Sequence, residues 1–170
     1  MDTSNVQLVS LAVVTASTVI ASAIDLKHRR IPNTLSLATA VTGVALAAAG
    51  LTGITLWSSL VGLGLGLVLM LPGHLFGATG AGDVKLFAAA GTVLGASQTF
   101  QAFLFVAIAG GVLAVAVAAR RGRLTHTVTT TAALCGRSSS ARPEIESPAA
   151  DNRFAYGPAI AIGCIAAALV

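Results

Sequence analysis

The sequence predicts an all-α fold: a polytopic membrane helix bundle with about six transmembrane helices. Three observations carry that expectation. Of 170 residues, 55% are hydrophobic and only 9% are charged, against roughly 25% charged in an ordinary soluble domain. Apolar runs recur along the chain at close to the ~20 residues a helix needs to cross hydrocarbon. All ten Lys and Arg fall in, or within two residues of, three alternate connections between those runs. A mean hydropathy of +0.87 fits a chain whose solvent is lipid.

The apolar runs are, in order, Val6 to Ile24, Thr34 to Gly50, Ile54 to Leu71, Val84 to Ala96, Phe100 to Ala119 and Phe154 to Val170. They are read as helices because backbone groups in lipid must pair within their own segment. The first run lacks a basic leading region and is read as a retained helix rather than a cleaved signal. The fourth is short, reaching only ~20 Å as a helix. It is kept as a span because a re-entrant segment there would split the basic residues between the two membrane faces. Glycine pairs at four-residue spacing, Gly62/Gly66, Gly73/Gly77 and Gly91/Gly95, are read as scattered small residues of a close-packed bundle. Trp57 and Tyr156 are the candidates for an interfacial aromatic belt.

The whole chain, 1–170, is expected to form one integral membrane domain. Within it, residues 120–153 have the composition of a polar, flexible loop. Lys27, Arg29, Arg30 and Lys85 share a side with the six Arg from Arg120 to Arg153. The positive-inside rule makes that side cytoplasmic, with both termini outside, in the plasma (inner) membrane. The formal net charge of +4 suits anionic lipid headgroups. Basic residues set between apolar runs do not form a nucleic-acid face, so the bilayer is the expected partner and nucleic acid is not.

No metal or cofactor is expected. Cys135 and Cys164 form no CxxC pair. His28, His74 and His126 are dispersed and read as solvated. The informative acids are Asp25, which ends the first run, and Asp83, which opens the fourth. Alone, Asp83 is a fair helix cap. Asp25 sits at a helix C-terminus, where negative charge is unfavourable. Together, on one side and at one depth, a costly pair of carboxylates near hydrocarbon reads as a site. Two such acids cannot both ionise easily, so one holds a proton while the other draws a proton from water. The water attacks a carbonyl, and the protonated acid polarises that carbonyl and then supplies the leaving amine. Gly80 and Gly82 precede Asp83 and allow close approach of an extended peptide. Lys85 reads as an anchor at headgroup level. Pro32 reads as fixing the turn into the second helix, and Asn33 as capping it.

The string Gly80-Ala81-Gly82-Asp83-Val84-Lys85-Leu86 resembles the signature of the GxGD intramembrane aspartyl proteases. Asp25-Leu26-Lys27-His28-Arg29-Arg30-Ile31-Pro32-Asn33, together with Tyr156-Gly157-Pro158-Ala159-Ile160-Ala161, is similar to the type IV prepilin peptidases, in their short Flp/Tad-pilus branch. The resemblance implies an aspartic endopeptidase with Asp25 and Asp83 as its catalytic pair. It implies that Pro32, Asn33, Gly80, Gly82, Lys85, Tyr156, Gly157 and Pro158 form the active-site loops or position substrate. The implied substrate is a small prepilin with a basic leader and a hydrophobic helix, cut at the cytoplasmic face. Longer members carry paired CxxC motifs and methylate the new N-terminus; without those motifs, methylation is not implied. Ala155 stands where proline is expected and Thr79 where methionine is frequent, which bears on substrate preference. Three rival readings remain at this level. One is a preflagellin-like peptidase of the same mechanism, one a small ion- or proton-coupled transporter, and one an inert assembly protein.

The charge pattern has a direct test. A single-cysteine variant, Ser138→Cys with Cys135 and Cys164 removed, should resist a membrane-impermeant thiol reagent in intact cells and react after permeabilisation. Efficient labelling in intact cells would refute the arrangement.

Overall fold

The computed structural model describes residues 3–28, 30–77, 79–120 and 156–170. They form five helices: α1 (Thr3–His28), α2 (Asn33–Ala48), α3 (Leu56–Leu75), α4 (Ala81–Arg120) and α5 (Gly157–Leu169). No strand occurs among the described residues. The expected loop at 120–153 lies outside them, except for Arg120 at the end of α4. His126, Cys135 and Asp151 lie outside them as well.

Six apolar runs become five helices because the fourth and fifth runs share one. The connection expected at Ser97–Thr99 does not exist. Instead α4 breaks at Gly95, whose φ of 75° and ψ of 176° lie outside helical space in a region open essentially to glycine alone. The chain reverses there. The rings of Phe87 and Phe103, each eight residues from Gly95, meet edge-on with centroids 6.4 Å apart, whereas a straight helix would separate them by about 24 Å. Thr99 Oγ1 donates to Gly95 O at 2.6 Å and lies 3.5 Å from Gly91 O. Residues 81–94 and 96–120 are therefore two antiparallel arms, which restores six helical rods.

The first arm explains its own shortness. Leu86, Phe87, Ala88, Ala89, Ala90, Val93 and Leu94 are all at most 2% exposed, so the arm is enclosed on every side. A fully apolar helix is the pattern of a central element. The outer helices turn large apolar side chains outward, as at Val68, Ile108 and Val112, each about two-thirds exposed. A surface of that kind fits lipid, and α1, α3 and α4 contain segments long and apolar enough to cross a membrane.

Close backbone approach builds the contact between α3 and the first arm. A Cβ on Gly62 would collide with Gly91 O, and one on Gly66 would come within 2.8 Å of Ala88 Cα. Ser59 Oγ donates to Thr92 O at 2.7 Å across the same seam. Two of the three glycine pairs thus do more than the scattered-residue reading allowed. Gly62/Gly66 and Gly91/Gly95 are the seam itself, because only a hydrogen fits between the two backbones. Gly73/Gly77 plays no such part; Gly73 faces Thr79 of its own loop. The helix start of α3 is capped by Thr55, whose side chain accepts from Ser58 N at 3.1 Å. Pro72 lies inside the last turns of α3 rather than in the connection.

Gly95→Ala should destabilise the protein by about 1–3 kcal/mol, since its Cβ would sit 2.8 Å from Ser58 Oγ at a positive φ. A thermal melt of the purified protein in detergent measures this. An unchanged melting temperature would place the reversal elsewhere.

Candidate active site

At one end of the bundle the last turn of α1, the first turn of α4 and the first turn of α5 converge. Asp25 and Asp83 lie there, each only 7% exposed and within electrostatic reach of the other. Burying a charge requires hydrogen bonds to it, and each carboxylate has one from a backbone N–H at a helix start.

Asp83 is the third residue of α4, and its Oδ2 accepts from Gly80 N at 2.9 Å. Gly80 O in turn accepts from Asp83 N at 3.1 Å and Val84 N at 3.3 Å. This is the reach-back half of a capping box, in which an acid in the first turn satisfies the N–H of the cap residue. The capping role open to Asp83 is therefore real, but it occupies one oxygen only. Asp83 Oδ1 is buried with no hydrogen-bond partner among the described residues. An acceptor left bare in that way is costly unless something else comes to it.

Asp25 is placed less favourably by its own helix and better by another. It stands in the last turn of α1, at the negative end of that helix. Its Oδ2 accepts from Gly157 N at 3.0 Å, so the positive end of α5 faces it. The sequence Tyr156-Gly157-Pro158 accounts for the availability of that donor. Ala159 N and Ile160 N both donate to Tyr156 O, at 3.0 and 3.2 Å. Pro158 has no N–H to satisfy and suits a first helical turn. Gly157 N is then the remaining donor of the turn. Gly157 also has no space for a side chain: its Cβ would lie 3.0 Å from Asp25 Oδ2 and 3.2 Å from Ser22 Cα.

The other residues singled out in the sequence fall around this pair. Gly82 packs against Ile31, to whose Cβ an added Cβ would come within 3.1 Å. Lys85 is exposed, and its Nζ donates to Asn33 Oδ1 at 3.1 Å, joining α4 to the start of α2. Asn33 is not the cap of α2, contrary to expectation. Pro32 occupies that position in extended conformation, with no side-chain cap bond. Its carbonyl accepts from Leu35 N and Ser36 N, and Asn33 is thereby free to hold Lys85. Tyr156 does not belong to an outer aromatic belt. It is partly buried against the core, and its hydroxyl donates to Val106 O at 3.4 Å. Trp57 is 74% exposed, as a belt residue should be.

Several neighbours were not visible from sequence. Gly110 provides the seat for the Tyr156 phenol, since any Cβ there would collide with the ring. One glycine among 18 gives no signal of that. His74 is not merely solvated: its Nδ1 lies 3.1 Å from Thr79 O and ties the end of α3 to the loop before Asp83. Among the described residues no three His, Cys, Asp or Glu side chains gather as metal ligands.

The model of the type IV leader peptidase family matches residues 12–115. That range holds both aspartates and the Gly80–Lys85 stretch, and ends before Tyr156. No curated protein and no solved structure gives a significant match.

The contact that seats the Asp83 loop is testable by cross-linking. Ile31→Cys with Gly82→Cys, in a chain lacking Cys135 and Cys164, should form an internal disulfide in membranes under mild oxidation, because the Cβ separation is close to disulfide geometry. Absence of the cross-link would mean that the loop and α4 do not meet there.

Proposed function

This chain belongs to the type IV leader peptidase family, and from that premise we propose that Asp25 and Asp83 hydrolyse the leader peptide bond of a prepilin-like substrate as an aspartic pair. The observation that carries the proposal is the arrangement of the two carboxylates. Both are buried, each has one oxygen held by a helix-start N–H, and Asp83 Oδ1 is left without a partner.

The chemistry follows from that arrangement. One carboxylate accepts a proton from a water molecule as its oxygen bonds to the scissile carbonyl carbon. The other, holding the shared proton, donates to the carbonyl oxygen and stabilises the tetrahedral intermediate. Collapse breaks the C–N bond, and a proton passes from the pair to the leaving amine. No covalent enzyme intermediate is needed. The fixed N–H bonds from Gly80 and Gly157 hold each carboxylate in place, so little reorganisation accompanies the reaction.

The substrate is a membrane-anchored prepilin of the Flp/Tad type, with a basic leader and a hydrophobic helix. Cleavage takes place at the cytoplasmic face of the inner membrane, with both termini of the enzyme outside. The clustering of Lys27, Arg30 and Lys85 at the aspartate end supports that orientation. Gly80 and Gly82 keep the approach to Asp83 narrow and free of side chains. Lys85 and Asn33 brace the entrance, and Tyr156, Gly157 and Pro158 position Asp25 through α5.

Asp25→Asn and Asp83→Asn should each lower cleavage of a co-expressed prepilin by roughly 10²–10⁴-fold, with the protein still accumulating in the membrane. Asparagine keeps the size and the hydrogen-bond acceptor but cannot carry the proton. The double variant should be no worse than either single one, because the pair acts as a unit. Asp151→Asn is the control and should be silent. Near-normal cleavage by either single Asn variant would refute the reading.

A further inference from the structure

The loop before Asp83 is held from outside by the end of α3. Both backbone polar groups of Thr79 bond there. Thr79 N donates to Gly73 O at 3.2 Å, one of the terminal carbonyls that a helix leaves without an internal partner. Thr79 O lies 3.1 Å from His74 Nδ1. The Thr79 side chain also rests on Gly73, where an added Cβ would come within 3.2 Å of Thr79 Oγ1. Among the described residues, His74 is the side chain of another element that reaches this loop with a hydrogen bond.

The carbonyl of Thr79 and the N–H of Gly80 belong to one peptide group. That group is planar and trans, so its C=O and N–H point in opposite directions. On one side it meets the His74 ring, and on the other it gives its N–H to Asp83 Oδ2 at 2.9 Å. Rotating the plane by half a turn would aim a carbonyl oxygen at the carboxylate instead. Glycine on one side of the plane makes that rotation sterically easy. A residue with a side chain would resist it, but at Gly80 its Cβ would lie 3.0 Å from Asp83 Oδ2. The orientation of the peptide is therefore left to its carbonyl end.

We propose that His74 orients the Thr79–Gly80 peptide so that its N–H meets Asp83, and is in that way a positioning residue for the carboxylate pair; the catalytic part of this inference rests on the peptidase reading. A carbonyl only accepts, so His74 Nδ1 carries a hydrogen. In the neutral ring this fixes the tautomer and leaves Nε2 unprotonated. In the imidazolium both nitrogens donate, so the bond survives protonation. A donor on Thr79 O also polarises the peptide and strengthens its N–H as a donor to Asp83. His74 acts on Asp83 through one peptide group, so its loss lowers turnover rather than substrate affinity.

The test uses the full-length protein and a prepilin, both purified in detergent. His74→Leu removes the donor, and His74→Asn restores it, because the amide nitrogen takes the place of Nδ1. The Leu variant should lower kcat about tenfold with KM unchanged, and the Asn variant should recover kcat to within about threefold of the parent. A Leu variant as fast as the parent, an Asn variant as slow as the Leu variant, or a rise in KM alone would overturn the proposal. Nitrogen-15 spectra of the histidine-labelled protein at alkaline pH, with the His74 signals identified by their loss in His74→Asn, should show Nδ1 protonated. A His74 ring protonated at Nε2 alone would overturn the proposal whatever the cleavage assay gives. The spectra need no substrate. A parent protein that fails to cleave any prepilin would thus count against the peptidase reading, while the spectra still decide whether His74 holds the peptide.

Discussion

Everything at the site depends on where two helix starts point. A carboxylate near hydrocarbon needs hydrogen bonds that water no longer provides. Here each receives one from a backbone N–H that a helix has no internal use for. Asp83 obtains its donor locally, from Gly80 three residues earlier. Asp25 obtains its donor from Gly157, 132 residues later. The first bond is built into one turn of helix. The second exists only if α1 and α5 are packed in register, and the rest of the bundle maintains that register.

The first arm of α4 is the reference for this packing. Enclosed by its neighbours, it presents Gly91 to Gly62 and Ala88 to Gly66 on the α3 side, and Thr92 to Gly43 on the α2 side. On the far side, the second arm receives α5, with Gly163 against Val106 and the Tyr156 ring against Gly110. Small residues at these crossings let backbones touch, so the positions of the helices are set by hard contacts rather than by flexible side chains. Asp83 starts the central arm and Gly157 starts α5, so rigid packing between these rods becomes fixed geometry between the carboxylates.

Much of this was legible in the sequence, and the exceptions have physical reasons. Six apolar rods, the terminal position of Asp25 and Asp83, and the glycines before Asp83 follow from composition and spacing alone. Ser97–Thr99 is the polar stretch between the fourth and fifth runs, yet it is helical and the chain turns at Gly95 instead. Inside a membrane bundle, a reversal can occur at a single glycine whose neighbours stay buried. The residue type of Asn33 suits a cap, yet Pro32 already supplies the extended cap conformation and Lys85 competes for the amide. Gly110 and the Gly157–Asp25 bond join residues far apart in the chain. No local pattern encodes such a pairing; it becomes visible only when the helices are assembled.

The reversal at Gly95 also orders the assembly of the molecule. The two arms of α4 pair residues that are close neighbours in sequence, so little loop entropy opposes their closure. They can associate with each other and with α3 as soon as both are made. The bond from Gly157 to Asp25 is the opposite case, joining the two ends of the chain. Until α5 is synthesised and docked, Asp25 has no helix start facing it. A nascent chain thus holds Asp83 as soon as α4 begins but carries Asp25 long before it holds it in place, and the arrangement of the two carboxylates is complete only with the last helix.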